Sequence, residues 1–482
     1  MSRVSFIAVC FLALAASAEN GKIPITTSSD EARAAFLQGR DLLEKLRGAD
    51  GLPFFEKAVA KDPQFATAYL NLANTAPTNK EFFAALEKAV ASAPKASEGE
   101  RLQILAAQAG VKSEPQAQHE LLEKLVALYP DDERAHAALG LFYFARQDWG
   151  AAIKSLERAT AIAPDFSVPY NQLGYAYRFE EKYDDAEKAF RKYIELLPQD
   201  PNPYDSYAEF LMKRGRFAES IASYRKALEA DPNFIASYIG IALDQVLLGL
   251  SGEARKTLSQ LSAKARNDGE KRQALFWTAM TFVHEGKLDE AVKSVVQESA
   301  IARKSGDLGA LAGDHVVIGN ILLAAGKGDE AAAKFKAAVK LNAQAKVPPE
   351  VKEAARRNSL YNLGRADIVR GDLASAEKKA AEYSKLVEAK RVPFEVWQSH
   401  ELAGRIALEK KDYDTAAAEL DKGNSQDPRV FFLRALALKG KGDQAGALAS
   451  ARKAVEYNSI NNANYAYVRR DAQRFVDSEQ KG

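Results

Sequence analysis

Residues 167–200 read SVPYNQLGYAYRFEEKYDDAEKAFRKYIELLPQD, and this stretch decides the fold. Tyr170, Leu173, Gly174 and Tyr177 recur at spacings of three and four, which lines one face of a helix. Ala186 and Phe190 mark a second helix, and Pro198 ends it, because proline lacks the N–H that a helix interior requires. Gly174 and Ala186 are small where two helices must approach closely, and Phe190 is expected to fill the space between repeats. The same pattern lies one copy upstream in His136, Leu139, Gly140, Tyr143, Ala152, Leu156 and Pro164. Pro164, Pro198 and Pro232 are 34 residues apart, as are Ala152, Ala186, Ser220 and Ala254.

Outward from this centre the period persists but drifts. Phe55, Ala58 and Pro63 close a copy with Gly39 in its first helix; Leu86, Ala89 and Pro94 close a second, and Leu122 and Pro130 a third. Beyond Ala254 the anchoring alanines are Ala291, Ala331, Ala376, Ala416 and Ala447, at spacings of 37, 40, 45, 40 and 31, which predicts longer loops. Gly215, Gly286, Gly326, Gly371 and Gly442 occupy the turns between paired helices, where a left-handed residue closes the first helix. Two places read as joints: Lys95–Gln118, polar and out of register, and Asn342–Glu350, which restarts a helix after Pro349. Asn461–Val476 reads as a terminal helix shielding the end of the stack. A chain of 482 residues exceeds a single core, and an array of about ten to twelve helix pairs accommodates it. The expected division is 1–18, a leader; 30–130, irregular repeats; 131–266, regular repeats; and 267–482, divergent repeats ending in the capping helix.

These positions resemble the tetratricopeptide repeat, whose copies carry an aromatic, Leu-Gly and Tyr on one helix, then Ala, Phe and a closing Pro. The resemblance covers most of the chain after its leader. It implies an all-α, right-handed α-solenoid that binds a protein or peptide on the concave face lined by first helices. Carried onto the three cleanest copies, the family's groove positions fall on Leu141, Phe144, Asn171, Tyr175, Arg178, Asp205, Glu209 and Met212. An ordinary solvated surface is the alternative for each. The family's carboxylate clamp for chaperone tails wants Lys and Asn where this chain has Ala137 and Leu141, then Asn171 and Tyr175, so that clamp is not expected. A polysaccharide- or polymer-binding envelope factor is the alternative function, and it requires a groove rich in exposed aromatic rings.

Charge is balanced, 67 Lys and Arg against 65 Asp and Glu, without the basic stripe that a nucleic-acid binder would show. Arg3, the apolar run Phe6–Ala15 and the small residues Ala16-Ser17-Ala18 have the layout of a secretory signal peptide; an uncleaved anchor is the alternative. The single cysteine, Cys10, lies inside this segment, so the exported chain is expected to carry no thiol. A periplasmic or secreted location follows, with no later stretch apolar enough to span a membrane. No catalytic, cofactor or metal motif is found. His136, His315 and His400 fall at the aromatic position of their repeats, where packing explains them better than metal binding, and His119 and His284 have no partner motif. The expectation is a non-enzymatic scaffold without cofactor or metal.

Overall fold

The computed structural model describes residues 21–460 and 462–480; segment 1–18, read above as a leader, and Cys10 within it lie outside them. Among the described residues there are twelve α-helix pairs and one further helix, and no strand. The pairs are α1 (Asp30–Glu44) with α2 (Gly48–Lys61), α3 (Ala66–Thr75) with α4 (Asn79–Ser92), and α5 (Glu98–Val111) with α6 (Pro115–Leu128). The regular centre holds α7 (Glu133–Phe144) with α8 (Trp149–Ile162), α9 (Ser167–Phe179) with α10 (Tyr183–Leu196), α11 (Pro201–Lys213) with α12 (Phe217–Ala230), and α13 (Ile235–Leu247) with α14 (Ser251–Lys264). Next come α15 (Asp268–Glu285) with α16 (Leu288–Ser305), α17 (Leu308–Ala324) with α18 (Gly328–Gln344), and α19 (Pro349–Arg370) with α20 (Leu373–Lys390). The last are α21 (Pro393–Glu409) with α22 (Tyr413–Leu420) and α23 (Pro428–Gly440) with α24 (Gln444–Val455), followed by α25 (Tyr465–Glu479). Each helix packs on its neighbours in sequence, and the first helices of successive pairs also touch, as in α7–α9, α9–α11 and α11–α13. This is an all-α solenoid of tetratricopeptide type.

The 34-residue period is visible atom by atom. His136 Nε2 and the hydroxyls of Tyr170, Tyr204 and Tyr238 donate to the carbonyls of Pro130, Pro164, Pro198 and Pro232, at 2.9, 3.1, 3.0 and 3.1 Å. Each bond ties the first helix of a pair to the proline that ended the helix before it. The turn residues keep the same spacing: Gln147, Glu181, Gly215 and Gly249 have φ of 60°, 58°, 71° and 80°. The left-handed residue is therefore required by the turn whether or not the sequence supplies glycine there. Gly174 sits against the Phe190 ring, where an added Cβ would lie 2.6 Å from Cε1. Asp132, Asp148, Asp307, Asp372, Asp412 and Asp443 accept a backbone N–H at the starts of their helices, satisfying donors that the helix cannot.

Two expectations are corrected. The wider spacing after Ala254 goes into the helices, not the loops: α7 and α8 have 12 and 14 residues, whereas α15, α17 and α19 have 18, 17 and 22. These segments lack a closing proline and consist largely of good helix formers, so each helix runs on until a glycine or proline stops it. Lys95–Gln118 is not a joint but an ordinary pair of the stack. A reciprocal capping box between Ser97 and Glu100 starts α5, and Pro115 opens α6 at the position where its missing N–H is harmless.

The superhelix also closes on itself. Gln147 Nε2 donates to Asn424 Oδ1 at 2.8 Å, and Ser425 Oγ donates to Gln147 Oε1 at 3.1 Å, joining the α7–α8 turn to the α22–α23 loop. α25 follows α24 as the expected terminal helix, and it also reaches α15, where Arg470 Nη1 donates to the Glu285 carbonyl at 3.2 Å. Its N-terminus begins at Tyr465, four residues later than the sequence pattern places it.

Candidate functional site

Closure leaves a cavity of about 690 Å3 between α7–α9 on one side and α21–α23 on the other. The first wall is an aromatic cluster. Trp149 and Phe179 stack at 4.3 Å, and Phe144 meets them edge-on at 5.1 and 5.9 Å. Phe394 and Trp397 of α21 line the opposite side, and Phe394 is 54% exposed. Tyr175 lines the cavity too. Between the rings stand the carboxamides of Gln147, Gln172, Gln398, Asn424, Gln426 and Asn464, which both donate and accept hydrogen bonds.

Charges in the lining are already paired. Glu401 accepts from the Tyr361 hydroxyl at 2.9 Å and from Arg405, and Arg429 stands 3.7 Å away. Burial alone would raise its pKa, but Arg429, Arg405 and Arg365 outweigh burial and hold the carboxyl at about 2. Burial, with the neighbouring Arg429 and Arg405, lowers Arg365 to about 10. Asp427 caps α23 through the Arg429 N–H at 2.8 Å and accepts from Asn464 Nδ2 at 2.7 Å. What remains for a ligand is a neutral, aromatic and amide-lined space.

The eight residues read from the sequence divide. Phe144 and Tyr175 line this cavity, and Leu141 is exposed on α7. Asn171, Arg178, Asp205, Glu209 and Met212 do not form an open groove; each is buried on α9 and α11. Arg178 lies behind the aromatic wall, 4.7 Å from the Tyr175 ring and 4.9 Å from that of Phe179. Its Nη1 is 3.8 Å from Glu209, while Nε and Nη2 find no hydrogen-bond partner among the described residues. Glu209 Oε2, Asn171 Oδ1 and both carboxylate oxygens of Asp244 are likewise unpartnered there. A buried polar atom left so costs about 1–3 kcal/mol. Burial raises Asp205 and Glu209 above the ordinary carboxyl range: the Glu209 charge adds to the rise at Asp205, and Arg178 only partly opposes it at Glu209. Burial pushes Asp244 up to about 8.

The sequence pattern passed over Trp149, Phe179, Phe394 and Trp397. A signal existed: the chain has only three tryptophans, and two of them face this cavity. The register that would have aligned Phe394 and Trp397 with the regular copies had drifted by then. Among the described residues no group of three potential metal ligands gathers, and no helix is long and apolar enough to cross a membrane.

Fold and site together define a helical-repeat scaffold curled around a ligand-sized cavity. A family model, the tetratricopeptide repeat, matches residues 115–165 and 171–235, which hold three of the four regular pairs and the part of the aromatic wall on α7–α9. Over those residues the chain carries tetratricopeptide repeats. That repeat is generally a non-catalytic module of protein–protein interaction. No curated protein matches the chain.

Proposed function

We propose that this protein is a non-enzymatic scaffold of the cell envelope that holds a polypeptide segment of a partner in the central cavity. The observation that carries this reading is the lining: aromatic walls on α7–α9 and α21, with carboxamides between them. Rings provide apolar area at little entropic cost, and carboxamides match the alternating donors and acceptors of a peptide backbone. A volume of about 690 Å3 lies within the range of small-ligand sites, enough for a few residues. The envelope location rests on the leader-like residues 1–18 and on the absence of cysteine after Cys10. Fractionation of a reporter fused after residue 18 tests it, and cytoplasmic retention of the reporter contradicts it.

A second reading, a neutral polysaccharide, is favoured by one feature: the rings of Trp149 and Trp397 in a lining whose charges are already paired with one another. Photo-crosslinking separates the two. With p-benzoylphenylalanine in place of Phe394, the first reading expects a crosslinked polypeptide whose yield falls at least tenfold in Trp149→Ala and Trp397→Ala. Crosslinks lost on adding soluble glycan, with no polypeptide attached, support the second. Polypeptide capture indifferent to both tryptophans contradicts the cavity assignment.

A further inference from the structure

The closed superhelix is joined at two places, and the two joints are built differently. At one, the C-terminal residues pack into the body of the solenoid. Tyr457, Tyr465 and Ala466 belong to the buried core cluster that runs from α11 to α19, and Phe431, Ile460 and Tyr467 pack against it. Arg470 Nη1 adds its bond to the Glu285 carbonyl. At the other joint, the α7–α8 turn meets the α22–α23 loop through neutral polar groups. Gln147 Nε2 donates to Asn424 Oδ1 at 2.8 Å, and Ser425 Oγ donates to Gln147 Oε1 at 3.1 Å. The apolar side chains on the two sides of this seam fall in separate clusters, Ile153 and Leu156 in one, Leu420 and Val430 in the other.

The loop at the seam is a departure from the repeat. α22 has 8 residues, whereas the other second helices have 12 to 18. The chain leaves α22 through residues 421–427, and Asn424 fixes its course. The Asn424 side chain accepts from the Gln426 N–H at 2.9 Å, and its carbonyl accepts from the Asp427 N–H at 3.1 Å. The stack does not require this shape, because each repeat is held by those beside it. The carboxamides that hold the seam, Gln147 and Asn424, also line the cavity. A neutral hydrogen bond adds little net stability, since water or a ligand takes its place when it breaks. Parting the other joint would instead expose apolar core to water.

We propose that the seam between Gln147 and the 421–427 loop is a gate: it parts to admit a ligand sideways into the cavity and closes behind it, while the joint of α25 to α15 holds. The amides freed on opening are the ones a ligand meets first, so entry exchanges their mutual bonds for bonds to the ligand. The proposal rests on the cavity reading for what enters, and on the seam's own contacts for where the ring opens. A gate has a kinetic signature. It limits entry and exit alike, and it leaves the equilibrium affinity unchanged.

The test uses the full chain as Cys10→Ser/Gln147→Cys/Ser425→Cys, whose two thiols are then the only ones. A bis-methanethiosulfonate reagent bridges them, and dithiothreitol releases the bridge, so one protein is compared with itself. The probe is N-phenyl-1-naphthylamine, an uncharged aromatic dye, followed by stopped-flow fluorescence. Bridging is expected to slow association and dissociation each by at least about tenfold with an unchanged Kd, and reduction to restore both rates. Rates indifferent to the bridge overturn the gate and leave the cavity reading in place. Slowing of association alone also overturns it, because a distorted site would do that. Dye binding that survives Trp149→Ala/Trp397→Ala counts against the cavity reading instead, and the seam is then judged by spin-label distances. In Cys10→Ser chains, labels on Lys154→Cys/Lys422→Cys should show a second, longer distance when Gln147→Ala/Asn424→Ala is added. Labels on Asp289→Cys/Gln473→Cys should keep theirs. An unchanged first distance, or a lengthened second one, overturns the gate.

Discussion

Gly174 stands where its repeat demands a residue without a side chain, and the Phe190 ring occupies the space where a Cβ would go, 2.6 Å from its nearest atom. Gly140 meets Leu156 in the same way one copy upstream, so the demand recurs with the period and is legible in the residues themselves. Gly174→Ala is expected to cost about 1–3 kcal/mol by overpacking. Phe190→Leu added to it should recover part of the loss, which urea denaturation of the single and double variants measures. Asp244 is the opposite case. Nothing in the residues around it announces a buried acid, because its burial depends on helices packed from several pairs. With its pKa at about 8 in the folded state, the proton is kept that an unfolded chain releases near pH 4. The stability linked to that proton is fully present below the unfolded value and is lost as pH rises through the folded one. Asp244→Asn should therefore melt like wild type near pH 4 and gain on it as pH rises to about 8, by about 2–4 °C for each kcal/mol. Equal melting points at both ends of that range contradict it.

At the scale of elements, the first helices carry the chemistry and their register decided what could be read. Phe144, Asn171, Tyr175 and Arg178 follow from the clean copies, where a family position maps to one residue. Helices α19 to α21 are longer, α22 is shorter and the register shifts, so Glu401, Arg365 and Arg429 could not be aligned, although they form a densely charged junction. Three arginines from α19, α21 and α23 converge on one glutamate. Its depressed pKa means that its contribution is present above the unfolded carboxyl value and is lost as pH falls towards about 2. Glu401→Gln is expected to cost about 3–5 kcal/mol at pH 7, as removal of one partner from a buried ion pair does. Guanidinium denaturation at a series of pH values should show that gap closing on the acid side. A constant gap would mean that charge is not what holds the three helices there.

For the whole molecule, period and composition foretell a stack but not how far it curls. The bonds of Gln147 to Asn424 and Ser425 join residues some 277 positions apart, and no local pattern specifies such a contact. Closure converts an open concave face into a cavity, and Tyr457 of the returning C-terminal segment shares a core cluster with Met212. Five of the eight groove positions are buried and two line the cavity. The central claim is that a partner segment seats between Trp149 and Trp397. Tryptophan emission in a Trp277→Phe background tests it most directly, since those two residues are then the only emitters. Titration with a peptide identified by crosslinking at position 394 should shift emission to the blue and shield both rings from acrylamide. Saturable binding of that peptide with emission and quenching unchanged would contradict the account.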